Sequence, residues 1–471
     1  MRKISFFIFA ILAFAMTANA DNYGKYYTDM PVEISKVTAP QIPQNTVRLT
    51  DFGAIGNGVA LNTDAFNKAI SALTKQGGGH LIVPAGIWLT APFSLKDNID
   101  LHLERNAVIM GTPDRSLYLK TEDGKTASKC SPLITASKRK NISITGQGTI
   151  DGNGAVWRPV KRSKVSDVEW STFKAMGGTE AEGGKLWFPF GLKNHKDFAS
   201  SAAKQENMRP HLIRFTDCEN ALVSGVTIQN SPKFHFIPTR CVNLIVDGVT
   251  IRCPWNAQNG DALDLSSCGT ALIVNNVIDA GDDGICMKGG VGEGGLKAGP
   301  CKDILIENNT VYHAHGGFVI GSEFSGGMQN IIVRRNIFSG TDTGLRFKSS
   351  QGRGGKTENI FISDIVMTDI KDEAITFECT YFDNKVNADK SKNSTTAVKQ
   401  APFTPEFTDI HINNVVCRGA KTAIKAKGPA GLKCIHGITI DNSTFFYTKT
   451  AKEIDADSEI TVSNTQFNTY K

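Results

Sequence analysis

The chain has 471 residues, with 52 Lys and Arg against 46 Asp and Glu, which gives a formal net charge of +6. This small positive excess suits a polyanionic partner without requiring one, because net charge governs association rather than fold. The sequence has no recognition helix, zinc finger or aromatic RNA-binding signature, so we expect no nucleic-acid partner. Its ten Cys form no C-x-x-C pair, which argues against a clustered metal site.

The first 20 residues predict a cleaved export signal. Arg2 and Lys3 precede an apolar run, and residues 18–20 have the small-x-small pattern of a cleavage site. The apolar run, residues 4–16, is too short to span a bilayer comfortably, although a retained anchor is the alternative. We therefore expect a secreted or periplasmic protein that has no membrane span.

A capping helix is predicted ahead of the first repeats. Asn62-Thr63-Asp64 is typical of a helix start, and three glycines at 77–79 end the helix. An ordinary surface helix predicts the same sequence. The apolar stripe expected to face the core consists of Ala65, Phe66, Ala69, Ile70 and Leu73.

A short motif then recurs through most of the chain. Each copy opens mostly on Asn or Asp, continues with apolar, β-branched residues and ends in a polar or Gly-rich stretch. From Asn220 onward the steps between copies are 23, 28, 32, 27, 29, 50 and 28 residues. The copies are anchored at Asn141, Asn220, Asn243, Ala271, Asp303, Asn330, Asn359, Asp409 and Gly437.

These repeats predict an all-β solenoid in which each copy is one coil of a parallel β-helix. The units are too short and too rich in Ile and Val for helical repeats. A coil cannot bury its own apolar face, so stacked neighbours supply a continuous core. An antiparallel sandwich, the alternative, would show hairpin turns at closer spacing. We expect a single domain over residues 21–471.

Two insertions interrupt the rhythm, at about 155–208 and 380–404. Insertions in solenoids form loops on one face, which is often the binding face. The first is basic and carries four aromatic residues, Trp157, Trp170, Trp187 and Phe188.

Counting from the anchors brings polar residues of successive coils together. Asp282 and Asp283 stand 11 and 12 residues after Ala271, and His315 stands 12 after Asp303. Coils in register would place His315 about one coil spacing, ~4.8 Å, from the Asp pair.

Three further residues join this patch. Asp261 precedes the Asp pair by about one coil and is expected on its other side. Arg346 and Lys348 belong to the coil after His315 and, being two apart on a strand, face the same way. An isolated Gly-Asp-Asp-Gly is most often a turn, and a calcium site is another interpretation. The matching offsets of a third Asp, a His and an Arg-x-Lys favour catalytic carboxylates.

Four motifs of this patch resemble those of the polygalacturonase family, glycoside hydrolase family 28 of the pectin-lyase-like β-helix superfamily. The likeness covers about residues 47–450 and is specific because the motifs occur together and in order. They are Asn259-Gly260-Asp261, Gly281-Asp282-Asp283, His315-Gly316 and Arg346-Phe347-Lys348. The resemblance implies a right-handed β-helix and an inverting hydrolase that cleaves α-1,4-galacturonosyl linkages of pectin. It implies action on pectic polysaccharide or oligogalacturonide. We expect a monomer and no metal or cofactor.

Roles follow from the resemblance residue by residue. Asp282 is similar to the general acid that protonates the leaving oxygen, and Asp261 and Asp283 are similar to the pair that activates water. Three close carboxylates cannot all ionise cheaply, so one is expected to keep a proton. His315 is expected to tune that proton and hold the geometry of the acid.

Substrate binding is assigned by the same resemblance. Arg346 and Lys348 are expected to clamp the galacturonate carboxylate, with Arg offering a planar fork and Lys a point charge. Asn259 and Gly316 are also expected to bind substrate. This chain departs from the family at Gly260, where Thr is usual, and we expect a side chain to be missing there beside the water site.

Several alternatives stay open on the sequence alone. A rhamnogalacturonan hydrolase of the same family, a calcium-dependent pectate lyase and a non-catalytic carbohydrate-binding β-helix share parts of the pattern. The retained His315 and Arg-x-Lys motif favour galacturonate at the cleavage site. The insertions favour exo action, and their aromatic residues either stack on sugar rings or pack the loop. Cys218 and Cys241 form either a stacked thiol ladder, which we favour, or a disulfide.

Overall fold

The computed structural model describes residues 23–119, 129–190, 208–381 and 401–470. The predicted export signal lies outside the described residues, as do 191–207 and 382–400 of the two insertions. Within the described ranges, no helix is long and apolar enough to cross a membrane.

The chain forms a right-handed parallel β-helix, which confirms the architecture predicted from the repeats. Each full coil contributes one strand to each of three faces, which we call sheets A, B and C; strands are numbered in chain order. Sheet A contains β1 (Thr46–Arg48), β2 (Gly79–Val83), β5 (Ile99–Leu103), β8 (Lys140–Gly146), β14 (Glu219–Ser224), β17 (Val242–Asp247), β20 (Gly269–Val274), β23 (Cys301–Glu307), β26 (Met328–Arg334), β29 (Thr357–Thr368), β31 (Ile410–Lys427), β32 (Ile438–Asp441) and β34 (Ile460–Val462).

Sheets B and C follow the same stacking, and the long strands β29 and β31 run from one sheet into the next. Sheet B contains β3 (Gly86–Thr90), β6 (Ala107–Gly111), β9 (Thr149–Asp151), β15 (Thr227–Gln229), β18 (Thr250–Arg252), β21 (Val277–Asp279), β24 (Thr310–Tyr312), β27 (Ile337–Ser339), β33 (Thr444–Ile454) and β35 (Gln466–Thr469). Sheet C contains β4 (Phe93–Ser94), β7 (Ile134–Ser137), β13 (Ile213–Thr216), β16 (Phe236–Thr239), β19 (Leu263–Ser266), β22 (Ile285–Lys288), β25 (Gly316–Gly321), β28 (Thr343–Lys348) and β30 (Glu373–Glu378).

The core lies inside the stack of coils because alternate side chains of every strand point inward. In sheet A, Ile304, Ile331 and Ile360 occupy equivalent positions on successive coils and are fully buried. In sheet C, the rings of Phe347 and Phe377 stack with centroids 4.4 Å apart. Each such side chain contributes about 1.5–3 kcal/mol by its burial. The outer face of sheet C therefore lies over a closely packed core.

The anchors of the repeat take the left-handed backbone conformation, which Asn and Asp tolerate better than most residues. Asn220 (φ 56°) and Asn243 (φ 58°) also join their coils, because Asn243 donates to Asn220 through their amides at 2.7 Å. In the Ala271 copy the anchor assignment was wrong by one residue. Leu244 pairs with Ala271, so the equivalent of Asn243 is Thr270 (φ 54°). The shift places Asp282, like His315, 12 residues after its anchor.

Helix α1 (Thr63–Lys75) covers the N-terminal end of the solenoid, which confirms the predicted capping helix. Its buried residues are the five predicted from the apolar stripe. Phe66 stacks on Phe93 of the first coil, with ring centroids 4.5 Å apart. Asn62 does not cap through its side chain; its buried amide instead joins Ile55 and Leu89.

The first insertion folds as a small unit of its own. It contains α2 (Asp167–Ala175) and a three-stranded antiparallel sheet of β10 (Val160–Lys161), β12 (Leu186–Phe188) and β11 (Thr179–Ala181). All four aromatic residues at 157, 170, 187 and 188 are buried, so packing is their role rather than sugar stacking. The remaining helices among the described residues are α3 (Gly292–Ala298) and 3-10 turns at Gly24–Tyr26, Leu49–Phe52, Arg115–Tyr118, Gly154–Val156 and Arg162–Lys164.

Residues 23–45 run along the outside of sheet A as an extended N-terminal strap, which the sequence did not reveal. Tyr26, Ile34 and Val37 of the strap are buried against outward-facing apolar residues of sheet A, such as Ile245 and Leu272. The strap thereby covers a face that would otherwise expose apolar side chains.

The ten Cys are all free thiols, and nine of them are buried. Cys218 and Cys241 lie on successive coils with Thr216 and Thr239 carbonyls as their hydrogen-bond acceptors. A thiol ladder therefore replaces the alternative of a disulfide.

Candidate active site

The four predicted motifs meet on the outer face of sheet C, where the chain enters the strands of successive coils. Asp261 precedes β19, and Asp282 and Asp283 precede β22. The register pairs Leu263 with Ile285, so Asp261 and Asp283 occupy equivalent positions on neighbouring coils. The predicted stacking of Asp261 on the Asp pair is therefore confirmed.

The three carboxylates form one cluster, in which one oxygen from each lies within 4.8 Å of the others. Asp261 is 3% exposed, and its Oδ1 has no hydrogen-bond partner. The side chain of Asp283 is 2% exposed, whereas that of Asp282 is 18% exposed. Asp282 is thus the member of the cluster that is most open to a ligand.

His315 lies on the next coil directly beside Asp282. Its backbone N–H donates to the Asp282 carbonyl at 2.9 Å, which fixes the two positions relative to each other. Its Nδ1 lies 2.9 Å from Asp282 Oδ1. This contact confirms the expected proximity of the imidazole and the Asp pair.

The two cations of the Arg-x-Lys motif both contact Asp283. Lys348 Nζ donates to Asp283 Oδ2 at 2.7 Å, and Arg346 Nη1 lies 3.4 Å from Asp283 Oδ1. Lys348 is nearly buried, with 7% of its side chain exposed, whereas 19% of the Arg346 side chain is exposed. Tyr381 places its ring 5.7 Å from the Arg346 guanidinium and 5.2 Å from the Lys348 ammonium. Arg346 is therefore the cation better placed to meet an incoming anion.

Asp261 is the carboxyl group of the cluster whose pKa is raised. Burial raises the pKa of Asp261 well above its usual range, and the nearby charges of Asp282, Asp264 and Asp283 raise it further. Burial also acts on Asp283, but the charges of Lys348 and Arg346 outweigh it and lower the pKa of Asp283.

Asp282 is ionised in the free protein. Burial would raise its pKa, but the hydrogen bond from His315, with the charges of Lys348 and Arg346, lowers it below its ordinary value. The expectation that one carboxylate keeps a proton therefore agrees with the structure. The prediction placed the retained proton on the expected acid, whereas the pKa is raised at Asp261 and lowered at Asp282.

Two further charged residues of this face were missed from the sequence. Asp264 is 1% exposed, and neither of its oxygens has a hydrogen-bond partner. Burial raises its pKa to about 7, against the lowering charge of Lys288. Lys288 Nζ lies 3.8 Å from both Asp264 and Glu323 and donates to the Gly321 carbonyl. Asp264 is three residues after Asp261, so a check of strand periodicity would have found only that it faces outward.

A third residue, Lys164 of the first insertion, was also missed. Its Nζ lies 2.8 Å from His315 Nε2, although the two residues are 151 positions apart. The basic composition of the insertion was the only signal in the sequence, because non-repeating segments have no register from which to infer contacts.

The family assignment follows from comparison with known proteins. The model of the family "Glycosyl hydrolases family 28" matches residues 161–464, which contain all four motifs. The chain belongs to glycosyl hydrolase family 28.

Individual family-28 relatives match over most of this chain. A Vitis vinifera relative assigned to the polygalacturonases is 30% identical over 72% of this chain and 64% of its own length. The chain thus spans just under two thirds of that relative. An exo-poly-alpha-D-galacturonosidase of Dickeya chrysanthemi is 28% identical over 85% of this chain and 67% of its own length. Among solved structures, a Thermotoga maritima exopolygalacturonase has 31% identity and a TM-score of 0.73, covering 92% of this chain and 94% of its own.

Two glycines of the family-28 motifs lie where a Cβ would crowd neighbouring atoms. A Cβ on Gly316 would lie 2.6 Å from Val319 and 3.2 Å from Arg346, so this glycine leaves room for the arginine side chain. A Cβ on Gly260 would face Ala257 and Cys253. A side chain there would point into its own turn, and the expected gap beside the water site stays a prediction.

Asn259 is half-buried beside Asp261 and has a left-handed backbone, with φ of 51°. Its Oδ1 accepts a hydrogen bond from Arg209 at 3.0 Å. Arg209 also donates to the carbonyls of Pro232 and Gln258, so it braces this turn against the preceding coil. The substrate-binding role of Asn259 stays a prediction.

Proposed function

We propose that this family-28 glycoside hydrolase is an exo-acting polygalacturonase, which cleaves the terminal α-1,4-galacturonosyl linkage of pectic chains. The observation that carries the proposal is the combination at one point of the exposed Asp282, the buried Asp261–Asp283 pair and the accessible Arg346. A hydrolase needs an acid and held water, and a uronate-specific one needs a cation beside them.

Asp282 is proposed as the general acid because its carboxyl group is the one that a glycosidic oxygen can reach. The proton it donates is proposed to come from Asp261, whose pKa is raised and whose oxygen lies within 4.8 Å of an oxygen of Asp282. A uronate bound at Arg346 would offset part of the positive charge that keeps Asp282 ionised. Substrate binding therefore favours transfer of the shared proton toward Asp282.

Asp261 and Asp283 are proposed to hold the attacking water. Asp283 is kept ionised by Lys348 and Arg346, so it accepts the proton of water as a base. Once Asp261 has passed its proton to Asp282, its unpaired Oδ1 is a second acceptor. Lys348 acts mainly through Asp283 and Arg346 mainly on the substrate carboxylate, which refines the equal clamp expected from the motif.

Inversion at the anomeric carbon is proposed from family membership alone. Inverting enzymes generally separate their carboxyl groups by about 6.5–9.5 Å. The nearest oxygens here lie within 4.8 Å, which is closer to the spacing of retaining enzymes. The anomer released first therefore distinguishes inversion from retention.

Exo action is supported by the first insertion and by the relatives. The insertion is rooted at the coil of β15, where Arg158 donates to the Ser231 carbonyl, and reaches His315 three coils further along. It therefore walls the side of the cleft next to the acid. The Dickeya chrysanthemi and Thermotoga maritima relatives are both named as exo-acting enzymes.

The setting of this activity is proposed from the N-terminal sequence. Residues 1–20 act as a cleaved signal, so that the mature protein, a single β-helix domain of residues 21–471, works as a monomer outside the cytoplasm. A secreted or periplasmic location would bring the enzyme to pectic polysaccharide or to the oligogalacturonides released from it.

The test is a digest of homogalacturonan and of rhamnogalacturonan, with products separated over time. The proposal predicts galacturonic acid as the sole early product, released from homogalacturonan only. Mixed oligomers from the first minutes would mean endo action. Preferential release from rhamnogalacturonan would instead favour the related hydrolase, and an unsaturated product absorbing in the near ultraviolet would mean lyase chemistry.

A further inference from the structure

The first insertion contacts the proposed catalytic residues directly. Lys164 ends the 3-10 turn Arg162–Lys164, and its Nζ lies 2.8 Å from His315 Nε2. The other ring nitrogen, Nδ1, lies 2.9 Å from Asp282. Lys164, His315 and Asp282 thus form a continuous polar chain from the insertion to the proposed acid.

The chemistry of this chain determines where the histidine proton lies. Burial lowers the pKa of Lys164, while the charges of Asp282 and Asp342 raise it. In its ammonium form Lys164 has only donors, so His315 Nε2 accepts with its lone pair. The single ring proton is then on Nδ1, where it is donated to Asp282. The chain therefore selects one neutral tautomer of His315.

The other charges around His315 would favour a different state. Asp342 Oδ2 lies 3.6 Å from His315 Nε2, and a carboxylate there favours a proton on Nε2. Lys371 bonds the far oxygen of Asp342 at 3.0 Å, and Lys161 lies close enough to act on the charge of Lys164. Lys164 is thus the group that opposes Asp342 at the ring nitrogen.

We propose that Lys164 is a positioning residue, which holds His315 in the tautomer whose Nδ1–H bonds Asp282. The insertion must then be docked on the cleft before Asp282 is set for proton transfer. This inference rests on the proposed function, because it assigns Lys164 a part in the work of Asp282.

The docking of the insertion does not depend on Lys164. Arg158 bonds the Ser231 carbonyl and Asn230 near the root of the insertion. Ser166 forms a capping box with Glu169 that starts α2. A substitution of Lys164 should therefore leave the insertion folded.

Kinetics of three variants test the proposal. Lys164→Met removes the donor at similar length, Lys164→Arg keeps a donor, and Lys174→Met is a matched control at an exposed position of α2 in the same insertion. We expect Lys164→Met to lower kcat by about 10- to 100-fold with KM within about threefold, part of the usual contribution of a proton-transfer group. Lys164→Arg should recover most of that loss, and Lys174→Met should match the wild type. A raised KM at unchanged kcat would show that Lys164 binds substrate instead, and overturn the proposal.

The tautomer is read directly from the ¹⁵N side-chain spectrum, with His315→Gln used to assign the His315 signals. The wild type should show a protonated Nδ1 and an unprotonated Nε2, and Lys164→Met should show a proton on Nε2. Identical His315 signals in the two proteins would overturn the proposal. Because the spectrum needs no substrate, it stays decisive even if the wild type released no galacturonate, which would refute only the proposed function.

Discussion

The outer faces of sheets A and C are built from the same repeat, yet they treat charge in opposite ways. Sheet A presents apolar side chains that the N-terminal strap covers, and its buried ion pair is fully bonded. Arg334 donates to Glu307 at 2.9 Å and to the strap carbonyls of Tyr26, Thr28 and Asp29. This face stabilises the solenoid.

Sheet C instead holds buried carboxylates whose hydrogen-bonding capacity is unfilled. Asp261 has one unpartnered oxygen, and Asp264 has two. An unpaired buried carboxylate costs free energy and takes up a proton. Buried carboxylates with shifted pKa values are common at functional sites. The same backbone fold therefore serves both faces. The outward side chains of each face determine whether it stabilises the solenoid or carries out chemistry.

The largest effect should come from removing the proposed acid on sheet C. Asp282→Asn is expected to lower kcat about 1,000-fold, because an amide cannot donate the proton that the leaving oxygen needs. The unfolding midpoint should change little, since Asp282 is the most exposed of the three carboxylates. Reducing-end release from polygalacturonate measures the loss. Asp279→Asn, an exposed carboxylate bonded to His313, is the control and should stay within about twofold of wild type.

Disrupting the ion pair on sheet A should lower stability and leave kcat unchanged. Arg334→Met leaves Glu307 and three strap carbonyls without their donor, which is expected to cost about 3–5 kcal/mol of unfolding free energy. Arg335→Met removes the exposed partner of the same glutamate and should cost at most about 1 kcal/mol. Urea unfolding compares the two variants. Equal losses would contradict the assignment of stability to the strap, as would a lower kcat for the folded Arg334→Met protein.

The pH dependence of stability should reveal the cost of a buried carboxylate on sheet C, at Asp264. Its folded pKa of about 7 lies above the ordinary value of 3.8, so the unfolded chain releases this proton first as the pH rises. Asp264 therefore costs stability that grows between about pH 4 and pH 7, up to an upper limit of about 4 kcal/mol. Asp264→Asn should match the wild type below pH 4 and exceed it above pH 7. Parallel stability curves across that range would show that Asp264 titrates normally.

The smallest effect should come from truncating a buried side chain of the strap. Ile34 is buried against sheet A, so Ile34→Ala should cost about 2 kcal/mol of unfolding free energy and leave kcat unchanged. Glu33→Ala, the exposed neighbour, should cost less than about 0.5 kcal/mol. Chemical unfolding of both variants measures the difference. A loss of activity in Ile34→Ala would mean that the two faces are coupled through the core.

The repeat allowed the solenoid and much of the site to be predicted, because a parallel β-helix converts sequence offset into position. Asp261, Asp282 and His315 could be stacked from their offsets alone. The anchor at Thr270 was misplaced because a Thr hides the Asn or Asp signal that marks the other coils. The strap at 23–45 and the contact of Lys164 were missed because non-repeating segments carry no register.

The protonation states of the site residues were the other property that the sequence could not predict. Counting carboxylates showed that one of them would keep a proton, but its location depends on burial and on hydrogen bonds. His315 and the cations of the Arg-x-Lys motif favour the charged form of Asp282, and full burial favours the neutral form of Asp261. Neither environment is visible in the order of the residues.

The most direct test of the central claim is ¹H NMR of a fresh digest of an α-1,4-linked galacturonate oligomer by the wild-type protein. We predict saturated galacturonic acid that appears first as the β-anomer, since water held by Asp261 and Asp283 attacks opposite the oxygen protonated by Asp282. Initial formation of the α-anomer, or of an unsaturated sugar, would contradict the assignment of the three aspartates.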